Sequence, residues 1–373
     1  MRLREEGRDV IVLSVGEPDF PTPVHVKEAA QAAIARDDTK YTAVDGSRAL
    51  KEAIAAKLSR ENRLAYPLEQ ILVSSGAKQS CYNACLALLD RGDEAIVPAP
   101  YWVSYPDMVR MAGGEPVIVH ATAERGFKIG PNELAAAITP KTRLLFLNSP
   151  CNPTGVMYAR DELAALGEVL EEYPKVAILS DEIYEHIAWS ERFVSFADAC
   201  PSLLGRTLTV NGMSKAYAMS GWRIGYAAGP LPLIKAMTSI QSQSTTSACT
   251  VSQAAACAAL TGDQQFVRDM CTVFEERHDI VLEQLAAIPG FDCVPAAGTF
   301  YLFPNIRRAM ERVGAATDVE FCERLLEATG VTLVPGTAFG AAGHLRVSFA
   351  ASLDVLQTAL RRMHEFVAGT SRV

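Results

Sequence analysis

Four short polar clusters carry the residue types of amine and anion chemistry. Ser74-Ser75-Gly76-Ala77-Lys78 follows an apolar run at 71–73, and Asn148-Ser149-Pro150-Cys151-Asn152-Pro153-Thr154-Gly155 follows one ending at Leu147. Ser180-Asp181-Glu182-Ile183-Tyr184 follows residues 176–179, and Asn211-Gly212-Met213-Ser214-Lys215 follows residues 207–210. In a parallel sheet, ligands bind at the carboxyl ends of strands, so the four clusters converge on one crevice. An Asp there can hold a protonated ring nitrogen, and a Lys can supply an amine. A Gly/Ser turn opening a helix seats a phosphate, because unpaired N–H groups and the helix dipole face the anion. Ser214 and Arg223 add a hydroxyl and a fixed cation. A phosphate, a pyridinium and an amine-reactive carbon together describe pyridoxal 5′-phosphate.

The elements that must position these residues alternate. Residues 10–15, 70–74, 94–98, 116–120, 143–148, 176–180, 206–211 and 224–228 read as strands, several apolar at nearly every position, as in a sheet buried on both faces. Helical stretches lie between them, for example at 78–89, 161–172 and 231–241. This pattern predicts one α/β domain with helices on both faces. Beyond it, residues 263–287 read as one long helix. Short strands are expected at 291–294, 298–303, 332–335 and 345–349, with helices at 319–328 and from Leu353, giving a smaller α+β domain.

Composition removes several classes. The chain has 373 residues, 35 Lys plus Arg and 43 Asp plus Glu, for a net charge of −8. A mildly acidic chain without a basic block argues against nucleic acid or anionic lipid as main partner. No apolar stretch reaches membrane-spanning length, and Met1-Arg2-Leu3-Arg4-Glu5-Glu6 lacks the apolar core of a signal peptide, so a cytoplasmic location is expected. The nine cysteines are scattered without C-x-x-C, which predicts apolar fillers and no metal site. Dinucleotide, P-loop, zinc-protease and α/β-hydrolase signatures are absent.

Further motifs complete an ordered set: Val15-Gly16-Glu17-Pro18-Asp19-Phe20, Lys40-Tyr41, Pro100-Tyr101-Trp102, Gly221-Trp222-Arg223-Ile224-Gly225-Tyr226 and His344-Leu345-Arg346. The spacings are 181 − 152 = 29, 215 − 181 = 34 and 223 − 215 = 8. With these motifs the chain resembles, over nearly its whole length, the class I pyridoxal-phosphate-dependent aminotransferases of fold type I. The resemblance is closest to the prokaryotic aspartate/prephenate subgroup. It implies a large domain, residues 40–277, with a mostly parallel seven-stranded sheet sandwiched by helices. It also implies a small α+β domain formed by both chain ends, residues 1–39 and 278–373. Lys215 is implied as the Schiff-base and proton-shuttle lysine, Asp181 as the partner of the pyridine nitrogen, and Tyr184 and Asn152 as partners of the phenolic oxygen. Trp102 is implied to stack on the ring, with Tyr101 as the other aromatic in reach. Phosphate contacts are implied from Gly76, Ala77, Lys78, Ser214 and Arg223, and from Tyr41 of the neighbouring subunit in a homodimer. Arg346 and Gly16 are implied to meet the substrate α-carboxylate, with Trp102 and Asn152 beside it.

The implied reaction moves the amino group of an L-amino acid, aspartate-type favoured, to 2-oxoglutarate by a ping-pong mechanism. Aromatic or other apolar amino acids, prephenate, and a β-eliminating lyase on the same cofactor remain open; a non-catalytic regulator is the reading from another class. Residues 239–249 contain no Arg or Lys, nor does the helix after Lys78 before Arg91, leaving Lys78 or the N-terminal arm as distal cation. Cys151 stands where relatives commonly carry Asn. The resemblance also implies an arm and part of a helix ahead of the Gly16 loop, which this sequence lacks.

Overall fold

The computed structural model describes residues 7–369. The expectation about Met1-Arg2-Leu3-Arg4-Glu5-Glu6 therefore lies outside the described residues. Strand β1 (Ile11–Val12) is followed by β2 (Ile71–Ser74), β3 (Glu94–Ala99), β4 (Glu115–His120), β5 (Thr142–Asn148), β6 (Ala177–Asp181), β7 (Thr207–Gly212) and β8 (Gly225–Ala228). Four short strands close the series: β9 (Tyr301–Leu302), β10 (Val331–Thr332), β11 (Val334–Pro335) and β12 (Leu345–Ser348).

β2 to β8 form one seven-stranded sheet in the order β2-β8-β7-β6-β5-β3-β4. Neighbours pair in parallel from β7 to β4, while β8 runs antiparallel to both β7 and β2. Only β8 opposes the others, so β2, β5, β6 and β7 end on the same edge. Side chains alternate across the sheet. Leu144 and Phe146 of β5 join a cluster with Cys85, Ile234 and Met237 of helices Ala77–Leu88 and Leu231–Ser242. Leu145 and Leu147 join Leu163, Leu166 and Leu170 of helix Arg160–Glu171. Both faces are dry, which accounts for the nearly uninterrupted apolar runs in the sequence.

A further core gathers both ends of the chain. Ile11 and Leu13 pack with Phe300, Val331, Leu345 and Leu360, and with Phe274 of helix Gln265–Ala286. β1 pairs in parallel with β10, and β11, β12 and β9 form an antiparallel sheet. The Arg346 strand therefore lies against the N-terminal segment.

Four expected strands differ, and of these 10–15 and 298–303 shorten to the two-residue β1 and β9. Residues 291–294 make only a single bridge, Asp292 to Asn305, and Pro295, without an N–H, follows directly. The expected 332–335 strand divides into β10 and β11, which belong to different sheets, so the chain changes partner at Leu333. Helices Val24–Ala35, Arg48–Asn62, Ser104–Met111, Pro131–Ala137 and Thr250–Thr261 add to those placed from the sequence. Among the described residues no helix is long and apolar enough to cross a membrane.

Candidate active site

A cavity of about 440 Å³ opens at the carboxyl edge of the sheet. Its lining includes Gly16, Ala77, Lys78, Trp102, Asn152, Asp181, Tyr184, Ser214, Lys215, Arg223 and Arg346. Eleven of the thirteen residues singled out in the sequence thus meet in one place. Gly76 lies just behind it, and Tyr41 lies apart, 89% exposed.

Asp181 ends β6 and is 4% exposed. Its Oδ2 accepts from the Tyr105 hydroxyl at 2.7 Å, and its Oδ1 from the Ile183 N–H at 3.2 Å. The carboxylate therefore caps its own turn, as a strand-end Asp often does, and faces the cavity as well. Burial pushes its pKa up to about 6, against the pull of Tyr105 and Ile183. Lys215 lies one strand over, three residues past β7. Burial lowers its pKa to about 8, opposed by Glu17 and helped by Arg346 and Arg223. Its Nζ donates to the Gly16 carbonyl oxygen at 2.5 Å.

Tyr184, also buried, meets the Tyr301 hydroxyl at 3.0 Å. Burial first, and Tyr301 second, hold its pKa well above the usual phenol range. Trp102 packs edge-on against Tyr105, with ring centroids 5.3 Å apart, and carries the Lys78 ammonium 4.8 Å above its ring. Tyr101 instead lies against Gly340, outside the cavity lining.

The anion seat begins at Gly76. Its φ of +89° is a left-handed conformation that side chains rarely adopt, and an added Cβ would run into the Arg223 guanidinium. Past it, helix Ala77–Leu88 presents the N–H groups of Ala77 and Lys78 at its N-terminus, while the Gln79 N–H donates to the Gly76 carbonyl oxygen at 3.0 Å. Arg223 spends its own donors on carbonyl oxygens, Ser220 at 2.9 Å and Ser75 at 3.4 Å.

Arg346 is a second cation without a carboxylate. It is buried in β12; Nη1 donates to Asn152 Oδ1 at 3.0 Å and Nη2 to the Ser14 carbonyl oxygen at 2.6 Å. Nε has no partner, and the guanidinium lies over the Tyr301 and Phe339 rings at 4.5 and 5.1 Å. Among the described residues no acid side chain pairs with it. A buried cation met only by neutral oxygens is costly without an arriving anion. At Gly16 an added Cβ would overlap the Tyr301 hydroxyl, so the loop approaches this site only as glycine. A buried acid, a buried amine of lowered pKa and two guanidinium groups that meet no carboxylate among the described residues surround one cavity and fit an aromatic phosphate aldehyde and a carboxylate substrate.

Asn148 and Ile183, which stand in the named clusters without an assigned role, also line the cavity, as do Tyr105 and Tyr301, which were not singled out in the sequence. Tyr105 had one usable signal, its place three residues after Trp102. Tyr301 sits in an aromatic run, Phe300-Tyr301, that reads as core.

The family described as aminotransferase class I and II matches residues 8–363. An aspartate/prephenate aminotransferase of Nitrosomonas europaea is 49% identical over 369 residues, covering 97% of this chain and 93% of its own length. Another, from Cereibacter sphaeroides, is 51% identical over 375 residues, covering 99% and 94%. Among solved structures, the aspartate aminotransferase of Rhizobium meliloti superposes with a TM-score of 0.94 at 47% identity, covering 98% of this chain and 93% of that one. That of Thermus thermophilus with maleate gives 0.92 at 46%, covering 98% and 94%. Likeness of this extent establishes that the chain belongs to the class I and II aminotransferase family and is a pyridoxal-phosphate-dependent aminotransferase.

Proposed function

We infer that this aminotransferase takes an acidic L-amino acid of the aspartate type as donor and 2-oxoglutarate as acceptor, working as a homodimer. The observation that carries the amino-acid part of the reading is Arg346, a buried guanidinium facing the cavity with no carboxylate beside it among the described residues, and Lys78, also in the cavity lining, is the cation left for a side-chain carboxylate. The relatives named above as aspartate or aspartate/prephenate aminotransferases support the donor class. So does the maleate, a four-carbon dicarboxylate, of the Thermus thermophilus structure.

When bound, pyridoxal phosphate supplies an aldehyde that captures the amine and a ring that accepts electrons from Cα. Asp181 holds the ring nitrogen protonated, and Tyr105 keeps that carboxylate oriented. Trp102 covers one ring face. Asn152 and Tyr184 direct hydrogen bonds to the phenolic oxygen. The first turn of helix Ala77–Leu88, Ser214 and Arg223 hold the phosphate, with Gly76 leaving room for the guanidinium. Lys215 Nζ would anchor the cofactor and, as a free amine, would carry the proton between substrate Cα and the cofactor carbon beside it. Arg346 and the Gly16 loop hold the α-carboxylate, which orients the Cα–H bond. Tyr41, exposed in the single chain, reaches the phosphate of a second copy.

A donor panel with 2-oxoglutarate tests the reading. Aspartate and glutamate should exceed alanine, aromatic and branched-chain donors in kcat/KM. A panel led by apolar donors would overturn it. The names of the Nitrosomonas europaea and Cereibacter sphaeroides relatives favour prephenate as a second acceptor, which the reverse reaction on prephenate checks.

A further inference from the structure

Behind the cavity lies a second polar cluster that the chemistry above leaves unused. Lys57, on helix Arg48–Asn62, is only 1% exposed, an unusual state for a lysine. Its ammonium pairs with Glu185 and donates to Asn62 Oδ1 at 2.7 Å. Glu185 is buried too. Its Oε2 accepts from Asn62 Nδ2 at 2.6 Å, and its Oε1 from Asn211 Nδ2 at 2.7 Å. Glu61 and His186 flank the pair, joined to each other at 2.9 Å. Glu61, Glu185 and His186 bring their ligand atoms within 4.8 Å of one another. The Lys57 ammonium already supplies the positive charge there, so this is not a cation site. Burial pushes the Glu185 carboxyl up, but Lys57, His186 and Asn62 outweigh it and hold its pKa below the ordinary value.

The position of this carboxylate in the chain matters. Glu185 directly follows Tyr184 in the turn after β6. Asn211 belongs to β7, four residues before Lys215, and its Oδ1 accepts from the Gly212 N–H at 2.7 Å. The regular ladder between β6 and β7 ends at Asp181 opposite Val210, with one more bond from the Glu182 N–H to the Val210 carbonyl oxygen. Beyond that point, the Glu185–Asn211 bond is a side-chain cross-link between the segment bearing Asp181 and Tyr184 and the segment bearing Lys215.

We propose that Glu185, held by Lys57 and Asn62, is a positioning residue that fixes the Tyr184 turn against the strand leading to Lys215. It touches neither substrate nor cofactor, and the proposal rests on the reading of the cavity given above. A buried ion pair is weak evidence for stability, because well-packed neutral replacements are often as stable. Its service is geometric, since a displacement of about 1 Å at reacting groups can cost two orders of magnitude in rate.

The test uses the purified holoenzyme as wild type, Lys57→Met/Glu185→Gln and Asn211→Ala. The double variant removes both charges together. Asn211→Ala cuts the cross-link, together with the local Gly212 N–H bond to Asn211 Oδ1, and leaves the ion pair. Three quantities are read: thermal unfolding, the pH midpoint of the visible cofactor absorbance, and kcat against KM for the donor. Either variant, folded, should move the absorbance midpoint by about half a pH unit or more, because the Tyr184 and Lys215 surroundings set it. The variant kcat should fall about tenfold with donor KM little changed. Unchanged midpoint and kcat in folded Asn211→Ala overturn the proposal, whether or not the double variant folds. The wild-type absorbance and turnover check the underlying reading separately.

Discussion

Asp181 and Lys215 are shifted in opposite directions by the same loss of water. Burial raises the acid to about 6 and lowers the amine to about 8. The neutral amine is the nucleophile, so its fraction grows as pH rises towards the folded pKa and saturates above it. Capture of pyridoxal phosphate by the apo-protein should therefore speed up to about pH 8 and then level off, where an unperturbed lysine would climb towards about pH 10.4. Stopped-flow absorbance across pH reads this directly. Tyr105 donates the one side-chain hydroxyl that Asp181 receives, and without it the carboxyl is pushed further up. Tyr105→Phe should lower kcat by about tenfold and leave the fold intact, the scale of one hydrogen bond to a charged group. Arg346→Ala removes a two-pronged donor, and donor kcat/KM should drop about a hundredfold. The chemistry-bearing residue types were legible in the sequence because each stands in a short motif at a strand end. Tyr105 and Tyr301 were not, because their roles come from contacts to residues far along the chain, Asp181 and Tyr184, that a local pattern does not encode.

At the scale of elements, the strands that carry the site are the ones the sequence marks best. β5 and β6 are buried and read as apolar runs that stop where the polar clusters begin, while β7, equally buried, alternates threonine with leucine and valine. Helices Val24–Ala35 and Thr250–Thr261 are marked less well, because alanine and other small residues give little contrast between their faces. They pack against each other as neighbours, a contact that local periodicity cannot announce. The turn after β6 makes its own prediction. Glu182 Oε1 accepts from the Ser180 and Ser195 hydroxyls and the Phe196 N–H, while Oε2 is buried without a partner. Burial, with Glu185 adding repulsion, raises its pKa from 4.5 to about 7. An acid raised on folding contributes fully below its unfolded pKa, and that contribution fades as pH rises through the folded value. Glu182→Gln keeps the acceptor and removes the charge. It should gain up to about 3 kcal/mol over wild type between pH 5 and 8, because each tenfold change in proton affinity on folding is worth about 1.4 kcal/mol. Denaturant unfolding of the apo-protein at both pH values measures the difference.

For the whole molecule, the N-terminal segment and the C-terminal third complete a cavity that the seven-stranded sheet only floors. Gly16 comes from one end and Arg346 from the other, and both reach Tyr301. Such long-range closure is invisible in local sequence patterns, and the ordered motif set supplied it only through family resemblance. A homodimer with Tyr41 in the neighbour's site would leave a distinct mark. Inactive Lys215→Ala mixed under exchange with the impaired Tyr41→Ala should regain activity, since a hybrid holds one site with both residues intact. A mixture no better than its parts would place Tyr41 outside the neighbour's site.

The central claim is that Lys215 is the lysine that holds the cofactor. Borohydride reduction of the holoenzyme, followed by peptide mass mapping, tests it most directly. A phosphopyridoxyl group on Lys215 alone, with none fixed in Lys215→Ala, is the predicted result. The same group on Lys78 or any other lysine, with Lys215 unmodified, would contradict the account.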